Sequence, residues 1–255
     1  MYGKVVGLAL AALLAGALAL GGENMLLPEV EAGLDLGGTR VGVGGGDWST
    51  FGVSLHTAVK RTGNGLNFGL RFRGMFTADA DFTEDGLDAT GECQGFAVNG
   101  YAGWGFDLGA GWTLSALGGL GYRSIDAGYL ADDTDMEYDV SVSALTLDLG
   151  AGLRAELTEQ LTWTTTLMFG PVVVGDVDAD VRWGILDYGS TEDVEAGFFA
   201  ELRTGLEVKL RDRLYLSVGL VFEAFAVDVD VEDDDELEGL AYYTFAASAG
   251  VTWKF

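Results

Sequence analysis

The chain has 255 residues, with 40 acids against 14 bases, one histidine and one cysteine, for a formal charge of −26. A single thiol, Cys93, excludes an intrachain disulfide, and the sign of the charge excludes nucleic acid as a partner. Forty glycines and only two prolines suit long twisted strands better than disordered linkers.

Residues 1–20 read as a secretory signal peptide. Lys4 supplies the positive end, 5–20 the apolar stretch, and Ala17-Leu18-Ala19 a small-residue cleavage site; the alternative is an uncleaved helical anchor. The mature chain is then one domain, 21–255. No later segment carries eighteen consecutive apolar residues, so no helical membrane span is expected.

From Glu29 onward the chain alternates with period two, the signature of strands. Ten segments are predicted: 29–43, 48–60, 65–77, 95–107, 112–124, 139–156, 160–174, 196–210, 213–228 and 240–255. A parity slip near Gly37-Gly38 predicts a β-bulge in the first. Eight strands would follow if the first hairpin or 171–195 is misread, and twelve if 171–195 hides a hairpin. One set of connections is tight: 61–64, 108–111, 157–159 and 211–212. The other is mostly long: 78–94, 125–138, 175–195 and 229–239, with only 44–47 short. Short turns at one rim and long loops at the other characterise an outer-membrane β-barrel.

The apolar parity agrees. Trp104, Phe106, Trp112, Trp163, Trp253 and Phe255 sit at turn-side ends. Phe51, Phe76, Phe96, Tyr122, Phe169, Phe198 and Tyr243 sit at loop-side ends. Aliphatic residues such as Leu55, Leu70, Leu114, Leu202 and Leu220 lie between. Two aromatic girdles around an aliphatic band is the pattern of a membrane-spanning sheet. A soluble β-barrel or sandwich, apolar side inward, is the alternative. Its surface would then be rich in Gly, Ser and Thr and poor in Lys, unlike ordinary soluble surfaces.

The last strand carries a further signal. Ser248-Ala249-Gly250-Val251-Thr252-Trp253-Lys254-Phe255 resembles the C-terminal assembly signal of bacterial outer-membrane β-barrels, with Ser248, Gly250, Trp253 and Phe255 as its marked positions. The rest of the mature chain is similar in pattern to the OmpA-type small barrels. The resemblance implies an all-β, up-and-down antiparallel transmembrane barrel in the cell outer membrane. It also implies contact with outer-membrane lipid and lipopolysaccharide, and a passage through the barrel-assembly machinery during biogenesis. A monomer is expected, with no periplasmic domain after Phe255.

Charge is unevenly placed. Residues 78–95, 125–139, 171–195 and 226–239 hold 27 of the 40 acids and one base, Arg182. The remainder is neutral, so the expected external loops carry the whole imbalance. Asp176, Asp178, Asp180, Asp228, Asp230 and Glu232 line single faces of extended chain and are candidate Ca²⁺ ligands at the outer rim, since hard cations take carboxylate oxygens. No other cofactor is expected, and Mg²⁺ at the same loops is the variant of that reading. Two alternatives stand: a solvated, repulsive surface, or recognition of a basic partner.

The inward face carries acids at 31, 35, 148, 156, 201, 207 and 223 and bases at 60, 71, 73, 123, 154, 203, 209 and 254. Buried charges must be paired. Lumen ion pairs are therefore expected among Arg71, Arg73, Arg123, Asp148, Arg154, Glu201, Arg203, Glu207 and Glu223, giving a plugged or narrow barrel. The alternative is an Arg71/Arg73 constriction in a narrow channel for ions or small solutes. Some outer-membrane barrels of similar size are enzymes, so a surface hydrolase is the third reading. The only histidine, His56, points inward beside Ser54 and Lys60. Asp35 could orient it, but no nucleophile follows at the spacing such enzymes use. Cys93 lies in a polar stretch with no histidine near it. No phosphate loop, dinucleotide fingerprint or zinc cluster is present. A non-catalytic protein of envelope structure or surface interaction is the leading expectation.

Overall fold

Eleven strands form one antiparallel sheet that closes on itself. The computed structural model describes residues 28–43, 46–84, 87–131, 134, 136–183, 186–229 and 239–255. The strands are β1 (Glu29–Val43), β2 (Gly46–Arg61), β3 (Gly65–Thr77), β4 (Ala80–Glu84), β5 (Leu87–Gly109), β6 (Trp112–Ala131), β7 (Met136–Glu156), β8 (Leu161–Trp183), β9 (Leu186–Arg211), β10 (Leu214–Val229) and β11 (Leu240–Lys254). β1 pairs with β11 along its whole length, and β3 pairs with β5. The short β4 resumes the line of β3 after a break at 78–79 and pairs with β5 above it. The result is a closed barrel of ten staves. The expected signal peptide, Asp230 and Glu232 lie outside the described residues.

The tight connections fall where the sequence puts them. In the β5–β6 turn, Gly109, Ala110 and Gly111 all take positive φ, at 83°, 52° and 79°, a conformation that two glycines make accessible. The expected girdle residues face outward. Phe51, Phe76, Phe169, Phe198, Trp104 and Phe106 are each about half exposed, as are Leu55, Leu120 and Leu149 between them. So large an apolar belt on a closed barrel is a lipid-facing surface.

Three expected long loops are instead mostly strand. Residues 80–84, 87–94, 125–131, 136–138, 175–183 and 186–195 extend the staves well above the belt. β7, β8 and β9 reach 21, 23 and 26 residues, about twice what crossing a bilayer requires. The reason lies in a reversal of polarity along each stave. On β7 the even residues point inward from Tyr138 to Arg154. Low on the strand they are Thr146, Asp148 and Arg154, with Leu145, Leu147 and Leu149 outside. Higher up they are Tyr138, Val140, Val142 and Ala144, with Asp139, Ser141 and Ser143 outside. The lower storey is polar within and apolar without; the upper storey is the opposite, because water replaces lipid around it.

The same reversal removes the bulge expected at Gly37-Gly38. β1 keeps unbroken register with both neighbours, and its odd residues point inward from Glu29 to Val43. Only the chemistry of that face changes, from Glu31 and Asp35 to Val41 and Val43. True register shifts occur elsewhere. On β8 the pairing moves from Thr146↔Val172 to Leu145↔Val174. This extra residue swings Val177 and Ala179 inward and Asp176, Asp178 and Asp180 outward. A second shift sits opposite Asp228 and Val229.

The upper storey is filled by apolar side chains. Trp48 stacks on Phe82 at 5.4 Å, Phe82 meets Tyr129 edge-on at 5.8 Å, and Tyr129 stacks on Tyr138 at 5.4 Å. Val43, Val142, Val177, Val227 and Leu240 complete this core. Cys93 belongs to it too, buried, and its burial pushes the thiol up to about 12. Because the native thiol is shielded, single cysteines can map the two storeys with a membrane-impermeant maleimide on intact cells. Asp178→Cys is expected to label, and Val177→Cys and Leu147→Cys to resist labelling. Reaction at Val177→Cys equal to that at Asp178→Cys would refute an apolar filling of the upper storey.

Candidate functional site: a charged lumen beneath an apolar cap

Seven carboxylates and seven fixed cations project into the lower storey: Glu29, Glu31, Asp35, Asp148, Glu201, Glu207 and Glu223 against Lys60, Arg71, Arg73, Arg123, Arg154, Arg203 and Lys254. Period-two alternation puts them there, since every second residue of each stave faces inward. They sort into tiers. Nearest the turns, Lys254 Nζ lies 3.0 Å from Glu207 and 3.2 Å from Glu29. Lys60 bonds Glu31 and lies 3.6 Å from Glu207, and Arg154 approaches Glu207 at 3.9 Å. One carboxylate thus gathers three cations.

In the middle tier Asp35 has the corresponding role. Arg203 reaches it at 3.3 Å and Arg73 at 3.7 Å. Arg71 bonds Glu201, and Arg73 bonds Glu223. His56 is 2% exposed and held between two acids, Nε2 at 3.2 Å from Glu31 and Nδ1 at 3.4 Å from Asp35. Gly33 lets the imidazole approach the wall, because a Cβ there would stand 2.5 Å from the ring. Among the described residues no nucleophile is paired with His56. Its partners are two carboxylates, an arrangement that holds a ring and presents no attacking group.

The uppermost tier differs. Arg123 stacks on Phe199, 3.3 Å from the ring centroid, and its Nη1 donates to Thr146 at 2.7 Å. Asp148 accepts from Asn99 at 3.0 Å. Tyr242 donates to Glu223. Above them begins the apolar core. Two small cavities lie between these tiers: about 10 Å³ beside Arg73 and Arg123, and about 20 Å³ beside Arg71, Asn99, Asp148 and Glu201. Each is on the scale of a single water.

All nine residues singled out for lumen pairing face inward. Arg71, Arg73, Arg154, Glu201, Arg203, Glu207 and Glu223 lie in ion pairs, whereas Arg123 and Asp148 have none within 4 Å among the described residues. Glu156, assigned to the lumen from parity, is largely exposed at the turn rim. Sequence reading missed Glu29, Asn67, Asn99 and Thr146; their inward parity was the available signal. It also missed the aromatic lid of Phe199, Phe225 and Tyr242.

The candidate cation ligands do not converge. Asp176, Asp178 and Asp180 stand on the outside of β8 at every second position, and Asp228 is exposed on β10. Among the described residues no group of three or more His, Cys, Asp or Glu side chains is placed to hold a metal. These acids crowd one another nonetheless. Partial burial raises the carboxyl of Asp139, with Glu137, Asp180 and Asp126 adding to the rise and Arg182 opposing it.

No family model matches the sequence, and no curated protein matches it. Solved structures do. The outer membrane protease OmpT of Escherichia coli superposes with a TM-score of 0.60 at 11% identity, over 92% of this chain and 100% of that one. The translocator domain of the autotransporter NalP of Neisseria meningitidis gives 0.47 at 16% identity, over 100% and 96%. At 11% identity the likeness to OmpT concerns the fold: an outer-membrane β-barrel. The lipid-facing belt and that fold place the chain in the bacterial outer membrane.

Two outcomes follow. Glu207→Gln leaves Lys60, Lys254 and Arg154 without their shared acid, so the barrel is expected to lose roughly 3–5 kcal/mol, read as an earlier urea midpoint in lipid vesicles. Asp139 carries a folded-state pKa above its unfolded value, so its ionisation destabilises the fold as pH rises past the ordinary aspartate range. Asp139→Asn is therefore expected to raise the midpoint at neutral pH, with the gain vanishing in acid below that range. An equal gain at both pH values would rule out the titration.

Proposed function

We propose that this protein is a closed surface barrel that serves envelope structure or contact at the cell exterior and does not conduct. The observation that carries this reading is the double plug. Paired charges fill the lower lumen, an apolar core fills the upper storey, and two cavities where they meet are only about 10 and 20 Å³. A conducting path needs a continuous wet lumen. The upper storey then acts as a rigid pedestal that holds an acidic exterior above the lipid. Such a surface repels polyanions and gathers counter-cations, which supports divalent bridging to lipopolysaccharide as its means of lipid contact.

Catalysis is not part of this reading. A barrel of the same fold is named as a protease, but the one histidine here is clamped by Glu31 and Asp35 below the apolar cap. It does not reach the outer rim, where a macromolecular substrate would arrive. We also read Ser248, Gly250, Trp253 and Phe255 as the assembly signal of a small OmpA-type barrel, because β11 is the strand that closes the sheet on β1. Exposed Trp253 and Phe255 at the turn-side rim offer the rings that the assembly machinery would grip.

Planar-bilayer recording tests the central claim. The refolded mature chain is expected to leave the membrane electrically silent. Reproducible single-channel steps from folded protein would overturn the closed-barrel reading and restore the narrow channel.

A further inference from the structure

At the crest of β7, β8 and β9 the inner face stays apolar but is no longer covered. Trp183 pairs with Met136 of β7, and Val181 pairs with Tyr138 of β7 and Tyr188 of β9. Residues directly opposite in a ladder share a face. Trp183, Tyr188 and Met136 therefore continue upward the line of Val177, Ala179 and Val181. Lower in the same storey Trp48, Phe82, Tyr129 and Tyr138 pack ring on ring. Trp183 and Tyr188 are instead 58% and 68% exposed. Lipid does not cover them. Trp183 stands fourteen residues beyond the girdle residue Phe169, roughly 45 Å along the strand.

The charge around this face has one sign. Residues 136–139, 175–183 and 186–195 hold nine acids and one base, and that base, Arg182, lies 3.1 Å from Glu137. Asp178 and Asp180 stand on the outer face of the strand that carries Trp183, so carboxylates border the two rings. We propose that the inner face of this crest docks a basic segment of another protein, one that carries Arg or Lys beside apolar side chains. Indole and phenol faces attract such cations, and Trp and Tyr are prominent among the residues that anchor protein interfaces. The surrounding acids steer a basic partner in and turn an acidic one away. A neutral glycan could use the rings but would gain nothing from the carboxylates. The inference rests on the reading of contact at the cell exterior and is independent of the closed lumen. Bilayer recording bears on closure alone, so the two can fail separately.

The probe is a fluorescent peptide of alternating Arg and Leu. It is titrated with the full mature barrel in zwitterionic nanodiscs and read by anisotropy, with protein-free nanodiscs as the blank. The barrel is expected to bind it, less tightly as salt rises. Trp183→Ser with Tyr188→Ser alters no charge and is expected to weaken binding about tenfold. Trp183→Tyr with Tyr188→Phe keeps two rings and is expected to retain it. Absence of binding would overturn the proposal. So would equal binding by the serine variant and the unmodified barrel, which would leave diffuse charge alone. Tighter, ring-dependent binding of a neutral maltooligosaccharide would also overturn it and assign the face to sugar. Heat-dependent gel mobility reports folding. If the serine variant does not fold, a photoreactive form of the peptide on the unmodified barrel decides: attachment within residues 181–190 is expected, and attachment only elsewhere refutes the site.

Discussion

Within hydrocarbon a backbone N–H or C=O has no water to turn to, and every one must be met inside the protein. That requirement is satisfied here by closure. β1 and β11 lie next to each other in space although they stand at opposite ends of the chain, and fifteen consecutive residue pairs join them. Once the sheet is closed, each stave has an inside and an outside, and every second side chain is committed to one of them. The belt, the lumen network and the apolar cap are consequences of that commitment.

The two storeys show how one geometric rule yields opposite chemistry. Low on the barrel the outside is lipid, so Leu147 and Leu149 belong there and Asp148 is forced inward. A few residues higher the outside is water, so Asp139 and Ser141 turn out and Val140 and Val142 fill the centre. On β1 and β7 the backbone needs no adjustment to make this change. On β8 it inserts an extra residue near Val173, which lets three aspartates face water. Low down, the cost of burying charge is offset by making acids multivalent: Glu207 and Asp35 each serve several cations. Such a network is hard to dismantle one residue at a time, because each removal strands partners in a low dielectric.

Fold resemblance does not carry function with it. A barrel of this form that bears a protease name shares 11% of its residues with this chain, and at that identity only the fold is held in common. The acidic exterior is the part most open to partners. Among the described residues its carboxylates are spread along strands and form no group placed to hold a metal.

Much of the molecule was legible in the residues. Period-two alternation, two aromatic girdles and short turns at one rim established the barrel, its ten staves and its lipid-facing parity. The inward charges could be listed, and most of them are found in ion pairs. The residues alone carry this alternation, because strand geometry makes every other residue a neighbour. It did not say what lies outside each face. Reading apolar residues as lipid-facing along the whole length turned the upper staves into loops and placed a bulge at Gly37-Gly38. Where lipid gives way to water, which acid meets which base across the lumen, and that Arg123 stacks on Phe199 emerge from the closed barrel. Those are relations between staves distant in sequence, and they depend on the register and shear with which the barrel closes.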